Sequence, residues 1–382
     1  MWEPPLDPAK PSCPYFPGFR VAIRSHIPPP PFGGNVYRGA GVARRAYPHD
    51  RWLHEATQSE HVVACPPLET EAPTQVETAE LTVTKALAIG NARGPQLVVC
   101  AVAPPDAADG KREPFAAVAK IYDALYYSFA NTFASGVPED VTCEADRDYS
   151  REAAAYEHLR DSGRDGAFAP RYFGSWTFIL PIREGSPHPG QRPVRMILME
   201  HLEGPSLRQL FARNQPGVEP YPDATHYDEE YRLEVLARIL DALVRQIHVG
   251  LSHGHLTPGN IVLVPRPLTA NGSPGPGHTA GPSRVVLLDY TNSVVWSRTR
   301  FGSRPSEDLP LPPNPVETWW QSWVSTLATW AGAEWDRNPQ PRREWLLRQF
   351  GGKQQRDLYA PITSAEVLEF ASSEGKPLDA TD

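Results

Sequence analysis

Proline sets the first limit on what this chain can fold into. There are 43 prolines in 382 residues, unevenly spread, and Pro28 to Pro31 run consecutively before Phe32-Gly33-Gly34. Each proline fixes φ and removes a backbone donor, so a proline-dense stretch favours extended, unpaired conformations over a sheet ladder. Residues 1–75 therefore read as a Pro/Gly-rich, loosely ordered arm. Within it, Gly39 to Arg44 (GAGVAR) imitates a dinucleotide-binding loop. No apolar strand leads into it and no amphipathic helix follows, so the match is coincidental.

Past residue 76 the pattern changes. Leu81 to Leu87 alternates, Gln96 to Val102 is β-rich, and Gly90-Asn91-Ala92-Arg93-Gly94 between them suits a turn. Phe115 to Tyr122 reads as a third strand carrying one charge, Lys120, and the three make an antiparallel meander. A helix is expected over Tyr149 to Arg160, where Glu152, Tyr156 and Leu159 share a face. A carboxylate on an aromatic, inward face needs a cation or a ligand. Arg171 to Leu180 and Arg195 to Leu202 read as strands. Asp228 to Val249 reads as a long amphipathic helix, with Leu233, Leu236, Leu240, Leu243 and Ile247 on one stripe. Two further strands follow, Asn260 to Val264 and Arg284 to Leu288, separated by a Pro/Gly-rich insertion over 265–283. Trp320, Trp323, Leu327 and Trp330 imply one helix over Val316 to Trp330, its indoles serving as core. The end, 363–382, is a polar tail.

Composition excludes several classes. A net charge of -8 argues against a nucleic-acid binder. Cys13, Cys65, Cys100 and Cys143 are scattered, without metal-ligand spacing, and read as reduced thiols. The first residues lack the basic and apolar regions of a signal peptide, and no apolar run approaches the ~18 residues of a membrane span. The expectation is a soluble protein, cytoplasmic or nuclear, with no membrane or nucleic-acid partner.

The chemistry concentrates in His253-Gly254-His255-Leu256-Thr257-Pro258-Gly259-Asn260, which runs directly into Ile261-Val262-Leu263-Val264. Phosphoryl transfer asks for charge placement more than covalent work. It needs a lysine for the α/β-phosphates, a carboxylate to hold that lysine, two metal ligands and a base. Lys120 on a strand, Glu152 on the next helix, Asn260 after the loop and Asp289 at a strand end occur in that order. Singly each has an ordinary reading: surface charge, helix acid, turn residue, strand cap. Jointly, with H-x-x-L-x-P-x-N-I at fixed spacing, they make a motif.

On these residues the chain resembles the protein-kinase-like superfamily, in particular fungal protein kinase-domain-containing proteins. The matching segments are Val118 to Asp123, Tyr149 to Tyr156, Met196 to Glu200, His253 to Asn260 and Val286 to Tyr290, within about residues 80–350. The resemblance implies an α+β, two-lobed protein-kinase-like fold. The N-lobe, an antiparallel sheet plus one helix, and the hinge would cover 76–203, and a mainly helical C-lobe 204–362. It implies ATP and Mg²⁺ as cofactors. Lys120 and Glu152 would form an ion pair, and Gly90 to Gly94 would cover the phosphates. Glu200 to Leu202 would hydrogen-bond adenine, Val262 would lie beneath the ring, and Asn260 and Asp289 would hold Mg²⁺.

The departures matter equally. His255 stands where the family has its catalytic aspartate, the glycine-rich loop keeps two glycines, Asp289-Tyr290-Thr291 replaces D-F-G, and no A-P-E segment occurs. Neutral histidine can accept a proton, yet it brings no fixed negative charge. The expected function is an ATP-binding pseudokinase or weakly active phosphotransferase. The alternatives are an active phosphotransferase on a protein or small-molecule hydroxyl, and an interaction module that binds no nucleotide. A protein partner could dock on the proline-rich arm or the C-lobe. Ser293, Ser297, Thr299, Ser303 and Ser306 read as an ordinary polar loop.

Overall fold

Arg20-Val21-Ala22-Ile23-Arg24-Ser25 forms a strand, β1 (Arg20–Ser25), inside the segment expected to be a loose arm. Its few residues alternate, and Ile23 points inward and is buried. The computed structural model describes residues 2–34, 36–37, 47–70, 74–103, 113–131, 136–182, 190–211, 224–264, 284–332 and 334–373. The GAGVAR stretch, the 265–283 insertion and the tail beyond 373 lie outside the described residues.

The remaining strands of this sheet are β2 (Thr78–Ala88), β3 (Gln96–Ala103), β4 (Phe115–Tyr122), β5 (Tyr172–Pro181) and β6 (Gln191–Glu200). β2, β3 and β4 form the expected meander. β1 pairs antiparallel with β2, Arg20 opposite Thr82, and also with β5, where Arg24 faces Thr177 and Ser25 faces Trp176. The order β1-β2-β3-β4-β6-β5 thereby closes into a six-stranded antiparallel barrel. This overturns the expected fold class: the sheet is a closed barrel, and the architecture is not the two-lobed kinase-like one of a sheet plus a helical lobe. Closure removes the free edges that an open sheet would leave as pairing templates. The proline count hid it, because the flanking prolines suppress the strand signal of six intervening residues.

The arm is anchored chemically as well. Tyr15 is fully buried and donates its hydroxyl to Asp123 at 2.6 Å, and Asp123 pairs with the buried Arg192 at 3.0 Å. Two short helices, α1 (Trp52–Glu55) and α2 (Gln58–Ala64), follow; Thr57 caps α2 and Glu60 closes the capping box. The helix α3 (Val141–Asp161) packs against β4, β5 and β6. It begins eight residues before the expected start, because Asp140 caps it by accepting from the Cys143 amide at 2.9 Å.

The chain divides into two compact units. The first comprises 1–166, 170–201 and 290–292; the second comprises 167–169, 202–289 and 293–382. The second unit holds α4 (Leu207–Leu210), α5 (Glu229–His248), and two small antiparallel ribbons. These pair β7 (Leu251–Ser252) with β10 (Val294–Val295) and β8 (Ile261–Val264) with β9 (Arg284–Leu287). The buried face of α5 takes Leu236, Leu240 and Leu243 from the predicted stripe together with Val235, Ile239 and Val244, while Leu233 and Ile247 are only half-buried. Helices α6 (Pro315–Trp319), α7 (Ala328–Ala331), α8 (Glu334–Arg337), α9 (Pro339–Phe350) and α10 (Ala365–Ser373) complete it.

The single helix expected over Val316 to Trp330 is broken after Trp319, with a 3-10 turn at Ser325–Leu327 before α7. Thr318 bonds back to the Asn314 carbonyl at 3.1 Å, and β-branched Val324 and Thr326 lie in the gap. Such residues compete with a continuous helix. Trp320 and Trp330 are buried all the same. The four cysteines are free thiols. Among the described residues no helix is long and apolar enough to cross a membrane.

Candidate functional site

Strand β4 carries Lys120 and Tyr122 two residues apart, so both side chains leave the same side of the ladder. Glu152 sits on the buried face of α3 with Tyr149, Tyr156 and Leu159. In the first unit these elements bring Lys120 Nζ to 2.5 Å from Glu152 Oε2, with Lys120 6% and Glu152 0% exposed. The same carboxylate oxygen accepts from the Tyr122 hydroxyl at 2.8 Å and the Thr291 hydroxyl at 2.7 Å. Its other oxygen lies 3.4 Å from the Tyr290 amide, and Lys120 donates to Thr291 at 3.0 Å. Burial, with the nearby Glu152 charge, pushes the Tyr122 phenol well above its ordinary range, so Tyr122 remains a donor. Asp148, one turn earlier on α3, is pushed up to about 6 by burial, against the opposing charges of Arg147 and Lys120.

Tyr122 and Thr291 were not singled out in the sequence. The period-two spacing of Lys120 and Tyr122 is a signal that could have found the first. The position two residues after Asp289 offers only a weak one for the second.

The Gly90 to Gly94 turn is bound from within. Gln96, wholly buried, accepts from the Gly90 amide at 2.7 Å and donates to the carbonyls of Gly90 at 3.0 Å and Gly94 at 2.7 Å. The amides of Arg93 and Gly94 both donate to the Tyr126 carbonyl, at 2.9 and 3.1 Å. Gly94 has φ +88, where a side chain would be strained. Glu200 ends β6 and accepts from the Arg171 amide at 3.0 Å.

The second unit gathers His255, Asn260 and Asp289. Asp289 follows β9 and has φ +65, a conformation that costs a non-glycine residue about 1 kcal/mol or more. His255 Nδ1 stands 3.3 Å from Asp289 Oδ2, and both side chains are partly open to solvent. Asn260 donates to the His255 carbonyl at 3.0 Å and reaches the same Asp289 oxygen at 3.5 Å. The Leu288 amide bonds to the Asn260 carbonyl at 2.8 Å, which fixes the strand end to the loop. Burial holds the neighbouring His253 imidazole down near 4, partly opposed by Asp289, so His253 is neutral near pH 7. Val262 is buried in β8 opposite Val286 and bridges to Ser206, while Leu202 is half-buried at the start of its unit's 202–289 segment.

Asp289 and Asn260 offer oxygen donors, and His255 sets a nitrogen beside the same carboxylate. That set fits a hard divalent cation held by few protein ligands and completed by water or phosphate. Among the described residues no group of three or more His, Cys, Asp or Glu could hold a metal ion unaided.

No family model matches the chain. No curated protein matches it. Among solved structures it is similar to the crystal structure of BubR1 kinase domain, at 14% identity and a TM-score of 0.30, covering 60% of this chain and 51% of that one. The chain thus spans about half the length of that structure. The likeness is a distant structural one and assigns no activity, ligand or partner.

Proposed function

We propose that the chain binds ATP with a divalent cation and transfers its phosphate slowly or not at all. The observation that carries this reading is the Lys120–Glu152 pair, an ammonium held on a strand by a buried carboxylate and a hydroxyl. A cation fixed in advance offers charge to a phosphate without reorganising when the ligand arrives. Asp289 and Asn260 would hold the cation, which when bound would neutralise phosphate charge. In this reading His255 would stand in for the base. It can take a proton when neutral, and it supplies none of the negative charge an aspartate would bring. A positioned base typically contributes 10²–10⁴-fold, roughly 3–5 kcal/mol of barrier.

A second reading is an interaction module without nucleotide, and one observation favours it. The Gly90, Arg93 and Gly94 amides, which a phosphate would need, already donate to other groups of the protein, Gly90 to the Gln96 side chain and the other two to the Tyr126 carbonyl. A thermal titration separates the two. A ligand that binds only the folded chain raises its melting temperature by mass action. ATP binding predicts a rise with millimolar ATP-Mg²⁺ that Lys120→Ala abolishes; no rise in the natural chain leaves the module reading.

A further inference from the structure

The first unit contains a cleft of about 600 Å³ far removed in composition from the lysine site. Its walls come from the Asp7-Pro8-Ala9 coil, α1, α2 and Ile182, and its lining is mostly apolar, with Trp52, Val63 and Ile182 prominent. That volume is in the ordinary range for small-molecule sites, which combine apolar walls with a few convergent polar groups.

Three polar atoms of the lining are buried, and none has a hydrogen-bond partner among the described residues: Asp7 Oδ1, Ser59 Oγ and Trp52 Nε1. Ser59 is only 2% exposed. The other Asp7 oxygen is occupied, accepting from the Ser59 amide at 2.8 Å, which fixes the carboxylate against α2. A buried polar atom left unpaired is destabilising, and such atoms in a folded protein call for an explanation. The charge is one-sided too. Asp7 and Glu60 both line the cleft, and no Lys, Arg or His does so among the described residues. Lys10 is adjacent; its ammonium donates to Gln58 at 2.9 Å and is stabilised in part by the Asp7 charge, though it does not line the cleft.

We propose that this cleft binds a small organic cation, an amine with an apolar or aromatic body and a hydrogen-bond acceptor. The ammonium answers Asp7 Oδ1 and the acceptor answers the Trp52 indole N–H. The body packs on Val63 and Ile182, and the indole face adds a cation–π contribution. Ser59 can serve as donor or acceptor by rotating its hydroxyl. The three atoms themselves are closed to solvent, while Asp7 and Trp52 are only half-buried as residues, so binding requires these side chains to turn toward the cleft.

The test compares three probes that share one body, using the full chain and saturation-transfer NMR with isothermal calorimetry. The probes are 4-phenylbutylamine, neutral 4-phenylbutan-1-ol and anionic 4-phenylbutyrate. The expected order is amine tightest, alcohol weaker by about tenfold or more, a step like that for a charge-assisted hydrogen bond, and carboxylate without binding. Asp7→Asn should erase the amine's advantage over the alcohol. Ala9→Trp should block amine and alcohol together, with circular dichroism checking that each variant is folded. Lys120→Ala should leave amine binding intact, which keeps this result independent of any nucleotide site. Equal binding of all three probes, no binding of any, or an amine preference that survives Asp7→Asn overturns the proposal.

Discussion

Glu152 Oε2 is the common acceptor for Lys120, Tyr122 and Thr291 inside the first unit, and Lys120 approaches it to 2.5 Å. Removing the carboxylate takes a charge partner from a buried ammonium and an acceptor from two hydroxyls. Loss of one member of a buried pair typically costs about 3–5 kcal/mol. Glu152→Ala should therefore lower the unfolding free energy by an amount of that order in urea denaturation. Glu152→Gln, whose amide oxygen can still accept from Lys120, Tyr122 and Thr291 but without the charge, should cost less. A loss below about 1 kcal/mol for Glu152→Ala would mean the network is not energetically coupled.

His255→Asp tests the proposed role of His255 as the base directly. If the chain binds ATP as proposed, restoring a carboxylate should raise phosphate release by on the order of 10²-fold or more. The measurement is steady-state phosphate release, with Lys120→Ala as the background. A natural chain that already equals His255→Asp, both rates vanishing with Lys120→Ala, would mean that His255 serves as a competent base.

The strands were legible because they alternate or run apolar over their whole length: Phe115 to Tyr122 is β4 residue for residue. The meander and the long α5 helix follow from the same periodicity. Barrel closure was not legible, since β1 sits among prolines and its partner β5 lies some 150 residues downstream, a pairing no local pattern encodes. The break after Trp319 was hidden by indoles at helical spacing, because tertiary burial of Trp320 and Trp330 does not require one helix. Lys120 and Glu152 could be paired on paper, since a carboxylate on an apolar face needs a cation. The internal binding of the Gly90 to Gly94 turn could not, because it depends on Gln96 turning back onto residues it follows.

Gln96→Ala should release that turn. The glutamine makes three hydrogen bonds to Gly90 and Gly94 from a wholly buried position. Leaving those backbone groups unpaired costs about 1–3 kcal/mol. Native-state hydrogen exchange should speed up most at the Gly90 amide, with amides in the middle of β4 little changed. Uniform acceleration through the barrel would instead identify Gln96 as part of the global core.

His26 gives the chain an acid-sensitive element. Burial is the main cause holding its imidazole down near 4; Arg195 and Arg24 add to the effect and Glu69 opposes it. The ring is therefore neutral at pH 7, and its 3.8 Å approach to Glu69 is not an ion pair there. Its Nδ1 is hydrogen-bonded to the Tyr149 hydroxyl at 2.7 Å. Between about pH 6.5, where an unfolded histidine titrates, and about 4, the unfolded chain binds the extra proton. Stability from this group is thus complete above pH 6.5 and is lost as the pH falls toward 4. At 1.36 kcal/mol per unit, the loss is at most roughly 3 kcal/mol. His26→Gln keeps a hydrogen-bonding side chain without the titration, so its unfolding free energy should fall less across that window. Denaturation at pH 7, 5.5 and 4 on both proteins makes the comparison, and other acid-sensitive groups cancel in the difference. Parallel curves would show that His26 is protonated in the folded chain as readily as in the unfolded one.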